Sequence, residues 1–263
     1  MNTVPVIALL TDFGHKDTFT GVMKGVIASI CRHALVIDLI HSIDSQDIRQ
    51  AAFHLDRSFP FFPEGTVFAC VVDPGVGTNR RAIAVDNGHH RFVAPDNGLL
   101  TPVLSRYPQA SCFTITNTVC MLPSPSATFH GRDIFSPAAA YLASGTATEM
   151  LGRRIPAESC KRIVLYENHK DGSIWTGEII SVDHFGNLVT SFESDLTGNS
   201  SLWTVSAGTA ERIPIVRTYG DVDAGKPLAY VGSSGMIEIA VRNGNASLLL
   251  RTGKNAPVRL ERS

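Results

Sequence analysis

The sequence predicts an α/β chain in two parts: an α/β domain with a parallel-rich sheet over residues 1–160, then a smaller all-β domain over residues 161–263. Three observations carry this. Over residues 4–143, apolar runs rich in β-branched residues alternate with helical segments, the pattern of parallel strands joined by crossover helices. After Gly152 the texture changes: residues 161–171 are polar, and short strands then recur with Gly, Asn and Ser between them. The 263 residues are 44% hydrophobic and 18% charged, enough apolar surface for one large or two unequal cores, and this excludes a disordered polymer.

In order along the chain, residues 6–10 read as a buried strand ending at Thr11-Asp12-Phe13-Gly14, and residues 21–30 as a helix. A strand at 36–39 and a helix at 48–59 follow, with Asp47 placed to cap that helix. Strands at 66–72, 82–86 and 92–94 are separated by turn residues and lead to a helix at 99–106. A helix over 134–143 starts behind Asp133 and is expected to bend at Pro137. In the second part, strands are expected at 175–182, 188–192, 202–206, 227–231, 237–241 and 246–250, a set that suits a small barrel or a sandwich.

Twenty-three basic against 24 acidic residues give a formal charge of -1, so the broad electrostatic pull of a nucleic-acid-binding domain is missing. The five cysteines are odd in number and scattered, with no Cys-x-x-Cys spacing, and read as reduced, mostly buried thiols. The opening Met1-Asn2-Thr3-Val4-Pro5 lacks the basic start of a signal peptide, and the apolar run behind it is too short for a membrane span. A cytoplasmic protein is expected.

Parallel α/β sheets bind ligands where loops converge at the carboxyl ends of their strands, so polar motifs there weigh most. Asp12 follows the first strand; it is either a turn residue or a carboxylate able to accept two hydrogen bonds from a ribose diol. In Asp73-Pro74-Gly75-Val76-Gly77-Thr78-Asn79-Arg80-Arg81, Pro74 fixes φ and the glycines permit tight curvature, which folds Asp73 and an arginine toward one point or else makes an ordinary β-turn with a solvated basic pair. His130, in Phe129-His130-Gly131-Arg132-Asp133, sits on a Gly-flanked turn before a helix, where a neutral imidazole is favoured; the alternative is a plain surface or core histidine. Brought together, an Asp, an Arg and a His make an apparatus for orienting and deprotonating a water.

No Walker loop, His-Glu-x-x-His or Gly-x-Ser-x-Gly elbow occurs, so a phosphate loop, a zinc peptidase and a serine hydrolase are disfavoured, and no metal or cofactor is demanded. Farther on, Asp183-His184-Phe185-Gly186-Asn187 and Gly232-Ser233-Ser234-Gly235-Met236-Ile237-Glu238 read as hairpin turns. Their content, an acid, an aromatic ring, an amide and hydroxyls, also suits an ammonium, an adenine and a carboxylate.

On these motifs, with Pro95-Asp96-Asn97-Gly98 between them, the sequence resembles the S-adenosylmethionine hydrolases, or hydroxide adenosyltransferases, relatives of the fluorinases and chlorinases, nearly end to end. The resemblance implies an N-terminal Rossmann-like domain, a C-terminal β-barrel, and a homotrimer whose sites lie between the N-terminal domain of one subunit and the C-terminal domain of the next. It implies that S-adenosylmethionine is cleaved to adenosine and methionine by a water attacking C5′ in line. Asp73, Arg80 and His130 would handle that water, with adjacent Arg81 the other candidate arginine and the proton acceptor left open. Asp12 would hold the ribose, Asp183 the ammonium, Ser234 the carboxylate and Asn187 the adenine edge, with Phe185 packed on the ligand. The other readings are a halide-using relative and a non-catalytic S-adenosylmethionine or adenosine sensor.

Overall fold

The computed structural model describes residues 4–198 and 202–263; the opening Met1, Asn2 and Thr3, read above for a signal, lie outside the described residues. The chain divides into two compact units, Met1–Ile163 and Val164–Ser263.

The first unit runs β1 (Val6–Thr11), α1 (Phe19–Ile30), β2 (Leu35–Ile40), α2 (Ile48–Ser58), β3 (Val67–Val71), β4 (Ala82–Asp86), β5 (Arg91–Pro95), α3 (Thr101–Arg106), β6 (Ser111–Thr114), α4 (Ser136–Ala143) and β7 (Arg154–Ile155). Its sheet has the order β2-β1-β3-β5-β4-β6-β7, parallel from β2 to β5 and antiparallel beyond. Side chains alternate across it, so Ile7 and Leu9 of β1 join one core with α1 and α4, while Ala8 and Leu10 join another with α2 and α3. Helices on both faces explain why β3 is apolar throughout and β1 is apolar up to Thr11. Because α1 and α2 cover opposite faces, the chain leaves β1 for β2 on one side and returns past it to β3 on the other. That reversal opens a crevice outside the carboxyl ends of β1 and β3.

Asp47 caps α2 as expected, its side chain accepting from the Gln50 amide at 2.8 Å. The bend expected at Pro137 lies earlier: residues Gly131–Phe135 form a π turn, and Ser136 Oγ donates to the Gly131 carbonyl at 2.7 Å. Pro137 then stands in the first turn of α4, where its missing N–H costs nothing.

The second unit contains β8 (His169–Asp171), β9 (Ile174–Val182), β10 (Leu188–Glu193), β11 (Trp203–Ala207), β12 (Ala210–Pro214), β13 (Pro227–Val231), β14 (Met236–Val241), α5 (Ala246–Leu250) and β15 (Pro257–Arg262). One antiparallel sheet, β12-β11-β15-β9-β10-β14-β13, wraps an apolar core, and a bridge between Ile215 and Ala229 nearly closes it into a barrel. The strand expected at 246–250 is instead the helix α5. Asn245 caps it by accepting from Leu248 N at 2.9 Å, and only Ala246 and Leu250, four residues apart, face inward, with Leu248 77% exposed. All five cysteines are buried and unpaired, and no described helix is long and apolar enough to cross a membrane.

Candidate functional site

Loops after β1, β2 and β3 and the segment before the π turn line a cavity of about 290 Å³ at the crevice, with Asp12, Phe13, Gln46, Asp73, Phe129 and His130 among its walls. Asp12 comes off the end of β1, and its Oδ2 accepts from the Gln46 amide at 2.8 Å. A relay running from the buried Thr11 and His41 to the exposed Asp38 fixes this loop. Thr11 Oγ1 lies 2.8 Å from His41 Nδ1, and His41 Nε2 lies 3.0 Å from Asp38 Oδ1. Burial opposes the charge of Asp38, but hydrogen bonds from Lys24 and His41 outweigh it and hold its pKa below the usual carboxylate range. An ionised Asp38 only accepts, so the proton between the two lies on His41 Nε2, and the Thr11 oxygen accepts the Phe13 amide at 3.2 Å.

The loop after β3 turns tightly: Thr78 donates both its amide and its hydroxyl to the Gly75 carbonyl. Seven residues past Asp73 it delivers Arg80, whose Nε lies 2.8 Å from Asp73 Oδ1 and 3.0 Å from Oδ2, and whose Nη2 also binds Oδ2. The same Nη2 lies 2.6 Å from His130 Nδ1. Both members of the Arg80–Asp73 pair are 6% exposed, and the guanidinium rests over the Phe135 ring at 5.4 Å. Because a guanidinium only donates, His130 Nδ1 must accept, so the ring is neutral and carries its proton on Nε2. Burial, then the charge of Arg80, lowers the His130 pKa in the same sense, against the pull of Asp73 and Asp133.

Arg81, the neighbour that sequence alone leaves as a candidate, turns away: Nε donates to Asp96 Oδ2 at 2.8 Å and Nη1 to Ser159 Oγ at 3.2 Å. Asp133, which sequence reading uses only as a helix start, holds the His130 loop from behind. Its Oδ2 accepts from the Ser126 amide at 2.8 Å, and Ser126 Oγ accepts from Phe129 N at 3.0 Å. Phe13, Phe19 and Phe129 meet with ring centroids 5.2 to 5.8 Å apart, giving the cavity an apolar wall.

Gly77 joins the two loops. Its φ is +78°, and a Cβ there would stand 2.7 Å from the Ala127 carbonyl. Gly77→Ala is therefore expected to lower stability by roughly 1–2 kcal/mol from backbone strain and to reduce turnover by displacing Arg80. Thermal unfolding and steady-state kinetics on the same sample check both.

In the second unit the two hairpin turns are built as expected. The Asp183–Asn187 turn joins β9 to β10: Asp183 Oδ1 accepts from Phe185 N and Asn187 N, each at 2.8 Å, and Oδ2 from Asn187 Nδ2 at 2.8 Å. Asn187 is buried, while Phe185 projects with 72% of its surface exposed. Ser234 lies on the β13–β14 turn with its hydroxyl 3.3 Å from Glu238 Oε1. Between the two turns, Asn187 Nδ2 reaches the Tyr219 hydroxyl at 3.4 Å, Tyr219 reaches Tyr230 at 2.6 Å, and Tyr230 reaches Glu238 Oε2 at 2.6 Å. Glu238 stands inside a motif visible in the sequence, whereas nothing local marks the two tyrosines. The sequence-predicted residues thus form two sets, Asp12 with Asp73, Arg80 and His130 in one unit, and Asp183, Phe185, Asn187 and Ser234 in the other.

Residues 7–152 match the family model described as the SAM hydroxide adenosyltransferase N-terminal domain, and residues 177–259 match its C-terminal counterpart. An (R)-S-adenosyl-L-methionine hydrolase of Thermus thermophilus is 40% identical, the alignment covering 97% of this chain and 98% of that one. A fluorinase of Actinopolyspora mzabensis is 28% identical, with 98% of each chain covered. The crystal structure of an uncharacterized conserved protein from Thermotoga maritima superposes with a TM-score of 0.91 at 37% identity, covering 97% of this chain and all of the other.

Proposed function

Because this chain belongs to the SAM hydroxide adenosyltransferase family, we propose that Asp73, Arg80 and His130 deliver a water to C5′ of S-adenosylmethionine in line with the departing sulfur. The chain is an S-adenosylmethionine hydrolase that releases adenosine and L-methionine. Its relatives are named for the (R) form, and we take that form as the substrate here. One observation carries the residue assignment: a single guanidinium binds Asp73 and His130 at once beside the crevice cavity.

The chemistry follows from charge. Sulfur begins as a sulfonium and leaves as a neutral thioether, so no acid is needed; the water gains positive character as its bond to C5′ forms. Its protons then become acidic, and a carboxylate is base enough even though free water has a pKa of about 15.7. The neutral His130 tautomer has its only lone pair occupied by Arg80, so the ring can only donate, and Asp73 accepts the proton. Arg80 holds the Asp73 carboxylate aimed through two contacts from its Nε. Asp12 takes the ribose diol. The phenylalanine wall excludes competing water and strengthens these charges.

Asp183 binds the ammonium, Asn187 the adenine edge, Ser234 the carboxylate, and Phe185 packs on the ligand. These groups reach the Asp73 set when three copies assemble as a homotrimer, the N-terminal Rossmann-like unit of one copy facing the barrel of its neighbour. The exposure of Phe185 supports such a partner surface. Five free thiols fit the reducing cytoplasm.

Incubation with S-adenosylmethionine in ¹⁸O-labelled water, with and without chloride, tests the reading by mass spectrometry. Adenosine labelled at its 5′ oxygen is expected in both. Product formed only with chloride would make the chain a halide-using relative, and bound ligand with no product would make it a sensor.

A further inference from the structure

The polar groups running from Asn187 to Glu238 have one direction. Glu238 presents its carboxylate oxygens to two hydroxyls, Oε2 to Tyr230 at 2.6 Å and Oε1 to Ser234 at 3.3 Å, and it is seated so closely against Gly232 that a Cβ there would stand 2.0 Å from Oε1. A carboxylate accepts and does not donate, so the one proton of Tyr230 goes to Glu238. The Tyr230 oxygen then accepts from Tyr219, whose own oxygen is left to accept from Asn187. Asn187 must therefore present its amino end to Tyr219 and to Asp183 Oδ2. The reversed amide would set carbonyl oxygen against two acceptors. The hydrogen-bonding atom left to the Asn187 side chain is Oδ1, an acceptor in a buried setting.

We propose that Glu238, acting through Tyr230 and Tyr219 and alongside the direct bond from Asn187 to Asp183, fixes the polarity of the Asn187 amide, so that the site selects a 6-amino purine over a 6-oxo purine. This rests on the reading above that Asn187 faces the base. A 6-amino group donates to Oδ1, whereas a 6-oxo group opposes one acceptor with another, and a buried polar group left unpaired or opposed is what gives such sites their discrimination. Tyr219, Tyr230 and Glu238 are positioning residues, since each acts through Asn187.

The test compares kcat/KM for S-adenosylmethionine and for its deaminated 6-oxo analogue, S-inosylmethionine, in the wild-type chain and in Tyr230→Phe and Glu238→Gln. The wild type is expected to prefer the adenosyl compound by roughly 100-fold or more. Tyr230→Phe shrinks that ratio by about five- to tenfold, the worth of one neutral hydrogen bond, with the change in KM. Glu238→Gln is isosteric and supplies an amino donor that lets the relay run backward, so its ratio falls at least as far. Taking a ratio cancels any general effect on the carboxylate site or on folding. A wild type with no preference, or variants that keep the wild-type ratio, would overturn the inference. A wild type that leaves S-adenosylmethionine intact would count against the hydrolase reading instead.

Discussion

Replacing Arg80 with lysine is expected to lower kcat by about 10²–10³-fold, the usual cost of removing a preorganised charge-stabilising donor, while KM moves only a few fold. Lysine keeps the charge but loses the planar fork that binds Asp73 through Nε and Nη2 and reaches His130 from the same atom. Without that fork Asp73 is no longer aimed, and His130 Nδ1 loses the donor that fixes its tautomer. Arg80→Ala goes further: it leaves Asp73, 6% exposed, as an uncompensated buried charge, a change of about 3–5 kcal/mol in stability. Arg81→Lys, cutting only the Asp96 and Ser159 contacts, leaves turnover within a few fold. On the proposed roles the three groups act as a unit, so Asp73→Asn combined with Arg80→Lys is expected to lose little more than Arg80→Lys alone. Equal losses at Arg80 and Arg81, or a double variant whose losses multiply, would break the assignment.

The contrast between Arg80 and Arg81 also shows where sequence reading stops. Asp73, Gly75, Gly77 and the two arginines are visible as a tight loop after a buried strand, but which arginine turns inward depends on two hydrogen bonds to the Gly75 carbonyl and a close approach to Ala127. The long parallel strands and the Asp47 cap are legible because burial on both faces and a local side-chain bond each leave a mark in composition. The short edge strand β7 and the half-charged strand β15 leave weaker marks; in β15, Val258 and Leu260 are buried and the intervening Arg259 is exposed. Residues 246–250 look like a strand because a Leu run has no period, and Asn245 decides for helix. Tyr219 and Tyr230 carry no local signal: their role exists only because the chain returns them to Asn187 from 32 and 43 residues away in sequence.

His130 gives the second large effect, and its sign with pH. Burial and Arg80 lower its pKa, so the folded state holds it neutral below the ordinary histidine value of about 6.5. As pH falls through that value the unfolded chain takes up a proton that the folded chain refuses, so the His130 contribution to stability is constant above about pH 6.5 and declines below it until the folded pKa is reached. Activity follows the folded pKa. A protonated Nδ1 would face the Arg80 N–H, the arrangement opens, and kcat/KM drops on an acid limb whose midpoint lies below 6.5. His130→Ala is expected to lower kcat by about 10²–10⁴-fold with little change in substrate affinity. His130→Asn keeps an acceptor for Arg80 but cannot titrate in this range, so part of kcat returns and the acid limb flattens. A limb that persists in His130→Asn would assign the titration to another group. Matched losses of affinity and turnover in His130→Ala would mean that His130 grips the substrate and leaves the water to Asp73 and Arg80.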